Sequence, residues 1–150
     1  MATRNDILEG GISPMTWNGT YGLVPVRKRV DLAAIIAEGG AIATGDVFNL
    51  FTMPANFKPV QSSLVVIKPN TTAGALTVAL GASTYGLTTA RSIASTVAAG
   101  TTYDNVPASE TVLAAETTAA VTITGTIAED AVFEVVIMGF WMGTLPGYDS

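Results

Sequence analysis

The chain has 150 residues, a net charge of −5, and neither cysteine nor histidine. Those absences exclude disulfide staples, thiolate and imidazole metal sites, and catalysis by Ser-His-Asp or Cys-His groups. Charged residues are 13% of the chain, about half the usual share near 25%. A soluble form must therefore hide apolar surface, either in a large β core under a neutral skin or against copies of itself and a larger assembly.

One domain with an arm fits this length. Basic residues crowd the first half: Arg4, Arg27, Lys28, Arg29, Lys58 and Lys68. Beyond Lys68 only Arg91 faces Asp104, Glu110, Glu116, Glu129, Asp130, Glu134 and Asp149. Phosphates repel such a carboxylate-rich region, so no nucleic-acid partner is expected. Val135–Leu145, the most apolar stretch, falls short of the ~20 residues of a spanning helix, so no membrane partner is expected. Charges interrupt MATRNDILEGG where a signal peptide needs an apolar core, so synthesis in a cytoplasm is expected.

Residues Met1–Pro25 read as an extended arm, because Gly10-Gly11, Pro14, Asn18-Gly19, Gly22 and Pro25 recur too often for a helix or long strand. Its apolar anchors, Trp17 and Tyr21 among them, are not those of a disordered tail. They suit either a neighbouring surface or the chain's own sandwich. The sandwich domain follows over 26–150. Val26–Ala37 fits both periods: Val30, Leu32, Ala34 and Ile36 alternate, while Leu32, Ile35 and Ile36 share a helical face.

Val47–Met53 is a predicted strand, apolar on both parities and so expected at a sheet centre. Pro54 and Pro59 are expected to bound an irregular link before a strand over Val60–Lys68. Ala75–Leu80 is the next predicted strand. Thr89–Ala99 suits a short helix or a threonine-lined loop, and Thr101–Val106 a sheet edge. Thr111–Ala115 and Ala119–Ile127 are expected to form a hairpin around Glu116-Thr117-Thr118. Ala131–Met142 reads as the longest strand, with Gly139 a candidate bulge. Seven to nine regularly spaced strands predict an all-β, antiparallel β-sandwich, jelly-roll-like, with an extended N-terminal arm.

Candidate chemistry is sparse. Glu129-Asp130 would point to opposite faces of a strand and are poorly placed as an acid–base pair. Asp104-Asn105 with Glu110 offers oxygen donors without calcium-loop spacing. Thr122, Thr124 and Thr126 form a row that fits a half-exposed strand. No phosphate loop, dinucleotide fingerprint or zinc-protease motif occurs. No enzyme activity, cofactor, metal or small-molecule substrate is expected. Arg27-Lys28-Arg29 is the one basic cluster, a solvated strand end or a dock for an acidic surface. Trp17, Tyr21, Trp141 and Tyr148 suit subunit contacts or, as in carbohydrate-binding modules, sugar stacking.

Three segments carry a resemblance: Thr44-Gly45-Asp46-Val47 leading into Met53-Pro54-Ala55-Asn56-Phe57, then Ser63–Lys68 with Thr71–Val78 and Leu80-Gly81, and finally the hydrophobic strand Phe133–Phe140. Across Thr44–Met142 the chain resembles tailed-bacteriophage head proteins, capsid decoration (cement) proteins among them. The resemblance implies a homotrimer on the outer surface of the virion, bound to the major capsid protein and clamping neighbouring subunits. Contact residues expected on this reading are Trp17, Tyr21, Arg27, Lys28, Arg29 and Trp141. Another virion role, in tail or fibre, and a carbohydrate-binding sandwich are the alternatives.

Overall fold

The computed structural model describes residues 3–4, 23–81, 85, 89–106, 112–125 and 128–141. Nine strands and one helix lie among them: β1 (Thr3–Arg4), β2 (Leu23–Asp31), α1 (Leu32–Gly39), β3 (Val47–Met53), β4 (Phe57–Lys68), β5 (Leu76–Leu80), β6 (Arg91–Ser92), β7 (Thr102–Asn105), β8 (Thr117–Gly125) and β9 (Val132–Trp141). They form two sheets, ordered β1-β3-β8-β5-β6 and β2-β9-β4-β7. Without the short β1, which joins β3 in parallel, the eight remaining strands are antiparallel. Their two four-strand orders are the interleaved Greek keys of a jelly roll. The expected sandwich class is what the chain adopts. No helix among the described residues is long and apolar enough to cross a membrane.

The core lies between the sheets. Phe48, Phe51, Phe57 and Phe133 are fully buried there, with Leu50, Leu64, Val78, Leu80, Val121, Val135 and Ile137 around them. Burying one such side chain contributes roughly 1.5–3 kcal/mol.

The ambiguous segment after Pro25 is strand, then helix. β2 pairs with β9 as far as Asp31. There the Asp31 carboxylate accepts the Ala34 N–H at 3.2 Å, an N-cap that starts the helix at Leu32. Gly40, at φ +80°, closes α1 by donating its N–H to the Ile36 carbonyl. Leu32 and Ile35 seal the core from this linker.

Several expectations are corrected. β3 does lie between two strands, β1 and β8, but its two-faced apolar pattern reflects a bulge between Asn49 and Phe51 rather than burial of both faces. The extra residue resets the alternation, so Phe48 and Leu50 before it and Phe51 and Met53 after it all point inward. Pro59 lies inside β4, opposite Gly139, rather than in an irregular link. It is tolerated because β7 pairs only with Ser62–Val65, leaving the Pro59 side of β4 without a second strand among the described residues. The expected hairpin around Glu116-Thr117-Thr118 is absent: β8 starts at Thr117, and Leu113 instead exchanges backbone hydrogen bonds with Asn56 and Phe57. Gly139 is not bulged. It faces the β4 bulge between Pro59 and Gln61, and a Cβ there would meet the Lys58 carbonyl and the Phe57 ring. The segment from Thr89 holds the short strand β6 and turns, with no helix.

Candidate functional site

Strand alternation assigns the outer face of the β2-β9-β4-β7 sheet. On β9, Phe133, Val135 and Ile137 are buried, so Glu134, Val136, Met138 and Phe140 point outward. Phe140 stays 39% exposed. The ladders lay these residues in rows. Arg29, Glu134, Val65 and Thr102 share one row, and Arg27, Val136, Ser63 and Asp104 the next. Pro25, Met138 and Gln61 form a third, and Phe140 and Lys58 a fourth. The face thus carries an apolar stripe on β9, with the arginines beside one end on β2 and Lys58, Gln61 and Ser63 along β4. Arg27 lies 3.9 Å from Glu134, and Ser63 donates to Asp104 at 2.6 Å.

The other outer face is chemically different. Val47, Asn49, Thr52, Thr77, Ala79, Thr118, Ala120, Thr122 and Thr124 occupy its outward positions, with no charge among them. Its threonines bond locally: Thr52 and Thr118 hydroxyls lie 3.4 Å apart, and Thr77 donates to the Thr124 carbonyl at 3.2 Å. Thr126 lies outside the described residues. The row behaves as half-exposed strand threonine.

The basic cluster is divided by the pleat. Arg27 and Arg29 are exposed, whereas Lys28 is buried with Val26 and Val30. Trp141 packs against the core, opposite Phe57, so it is not an open stacking platform. Its neighbour Phe140 is the exposed aromatic of β9. The sequence reading missed this residue, although its shared parity with Glu134 was the available signal. Trp17, Tyr21 and Tyr148 lie outside the described residues.

At one end of the sandwich the β4–β5 and β8–β9 connections are tied together. The buried Asn70 accepts the backbone N–H groups of Glu129 and Asp130 and donates to the Thr72 carbonyl at 3.2 Å. Asp130 accepts from Lys68 at 2.7 Å and from the Thr71 N–H and hydroxyl at 2.8 and 2.5 Å. Thr72 donates to Glu129. The Lys68 ammonium first, then the Thr71 donors, hold the Asp130 carboxyl well below the usual carboxylate range. Both acidic residues are thus occupied in structural contacts, which fits their poor placement for acid–base work. Among the described residues, no three Asp or Glu side chains converge to hold a metal ion. Glu110, the third member of the candidate oxygen set, lies outside them.

Between the edge strands β6 and β7, the Arg91 guanidinium lies 5.6 Å from the centre of the Tyr103 ring. The Tyr103 hydroxyl donates to the Ser92 carbonyl at 3.0 Å. These contacts join β6 to β7, across the two sheets.

No protein-family model matches this sequence, and no curated protein matches it significantly. Solved structures do share its fold. A chain of the capsid of Ralstonia phage GP4 superposes with a TM-score of 0.58 at 16% identity, covering 93% of this chain and 97% of that one. A chain of the cyanophage Pam1 capsid asymmetric unit superposes with a TM-score of 0.60 at 12% identity, covering 88% of this chain and 94% of that one. At these identities the likeness is one of fold, and it extends over nearly the whole length of each chain.

Proposed function

We propose that this protein is a non-enzymatic structural component of a phage virion, bound to the outer surface of the head as a capsid decoration protein. On this reading it is a homotrimer that clamps neighbouring copies of the major capsid protein and stabilises the shell. The observation that carries it is the end-to-end match of this jelly roll to two chains from phage capsids. The outer face of the β2-β9-β4-β7 sheet supplies a surface for the purpose. Its stripe of Val136, Met138 and Phe140 has Arg27 beside one end, on β2, and Lys58, Gln61 and Ser63 along β4, an apolar contact centre with a polar rim. Arg27 and Arg29 on that face, Trp17 and Tyr21 in the arm, and Phe140 are the proposed contacts. Lys28 and Trp141 act from within, by holding the strands that present them.

Many copies of a small clip, each burying on the order of 800 Å² per partner, favour the assembled shell by mass action. The test is co-sedimentation with empty head shells assembled from the phage's own major capsid protein. Saturable binding and greater resistance of the shells to heat are expected. A protein that stays in the supernatant with shells present overturns the reading, as does its location on tails in labelled particles.

A further inference from the structure

The outermost strands of the β2-β9-β4-β7 sheet have opposite character. β2 and β7 each pair with one strand among the described residues. β2 presents Arg27 and Arg29, both exposed; the Glu134 carboxylate on β9 stands opposite Arg29 and 3.9 Å from Arg27, and that of Asp31, at the end of β2, is engaged in capping α1. β7 presents Asp104, exposed, and just beyond its end stands Val106, which at 74% exposure is the barest large apolar side chain among the described residues. Arg27 and Asp104 stand in the same row, at its two ends, with Val136 and Ser63 between. Three strand spacings separate them by roughly 14 Å, too far to pair within one molecule.

We propose that the occupant of each edge is a second copy of this chain, with the β2 edge of one copy against the β7 edge of the next. Arg27 and Arg29 then meet the neighbour's Asp104, and Val106 is covered in the same contact. Charge decides the symmetry. A two-fold pairing of β2 with β2 sets arginine against arginine, and one of β7 with β7 sets Asp104 against Asp104. A head-to-tail contact joins opposite signs, and repeated about an axis normal to the sheet it closes a ring. In such a ring the apolar stripes of all copies lie on one side, free to meet another surface. The inference rests on the self-assembly part of the reading above and not on placement on a phage head.

The experiment is native mass measurement of the full chain without shells. The wild type is expected to run as a closed oligomer. Arg27→Glu/Arg29→Glu and Asp104→Arg are each expected to weaken association by at least roughly tenfold. Mixing these two variants is expected to restore association between unlike copies, because each then offers an edge opposite in sign to the other's, while an odd-numbered ring keeps one like-charged contact and does not close fully. Ser63→Ala, which removes the local partner of Asp104 without changing charge, is expected to keep the wild-type mass. Circular dichroism confirms that every variant is folded. A single-chain wild-type mass, charge-reversed variants that remain fully assembled, or a mixture that stays monomeric overturns the inference. Shell binding by a monomer would leave the virion reading standing and this one refuted.

Discussion

The side-chain oxygen of Asn70 accepts the backbone N–H of Asp130 at 3.2 Å. The same atom takes the N–H of Glu129 at 3.0 Å, so one buried side chain ties together two loops that each cross between the sheets. In Asn70→Ala both N–H groups and the Thr72 carbonyl lose their partner. Leaving buried polar groups unsatisfied costs about 1–3 kcal/mol each, and partial access of water to these turns keeps the total near the lower end. A loss of about 2–3 kcal/mol in urea unfolding is expected. A loss within experimental error would mean that the loops do not need this tie.

Acid should act at the neighbouring carboxylate. The Asp130 pKa is lowered in the folded protein by Lys68 and Thr71, while the unfolded chain has the ordinary aspartate value near 3.9. Its contribution is therefore full above about pH 4 and is lost as pH falls below that value toward the folded pKa. Asp130→Asn is expected to reduce the acid sensitivity of the melting temperature below pH 4 and to lower stability at neutral pH. Lys68 is 53% exposed, so added salt should weaken its part while sparing the Thr71 hydrogen bonds. Identical pH profiles for the variant and the wild type would exclude this assignment.

Gly139 is required for packing. A methyl group there would press on the Lys58 carbonyl and the Phe57 ring. Overpacking of this kind costs about 1–3 kcal/mol. Gly139→Ala should lower the thermal midpoint by several degrees, and adding Phe57→Leu should recover part of the loss by making room. An unshifted midpoint for the single variant would show that the two strands separate without penalty.

Phe140 and Trp141 are adjacent but should respond differently. Trp141 packs against the core, whereas Phe140 points outward. Trp141→Ala is expected to destabilise by about 2 kcal/mol. Phe140→Ser should change stability by less than about 1 kcal/mol but weaken co-sedimentation with head shells. The reverse ranking in thermal melts would mean that the strand parity is misassigned.

Much of this protein follows from residue order alone. The strands from Val47, Leu76 and Val132 are legible because β-branched and aromatic runs stop at proline, glycine and asparagine turns, which are local properties. The missing histidine and cysteine removed whole classes of chemistry before any fold was considered. The sandwich class followed from strand number and spacing.

What residue order left open depended on partners distant in the chain. The bulge at Leu50 reverses which residues of β3 face inward, and only its pairing with β8 reveals it. Asp31 ends a strand and begins a helix because its side chain caps α1 while its backbone still pairs with Val132. Arg27-Lys28-Arg29 reads as one patch along the chain, yet the pleat sends Lys28 to one side and the arginines to the other. Arg27 and Asp104 come to share a row only because β9 and β4 lie between their strands. Composition and local periodicity determine which segments extend and what chemistry is absent. Which residues share a face is decided by long-range strand pairing, because a single inserted residue moves every later side chain to the opposite surface.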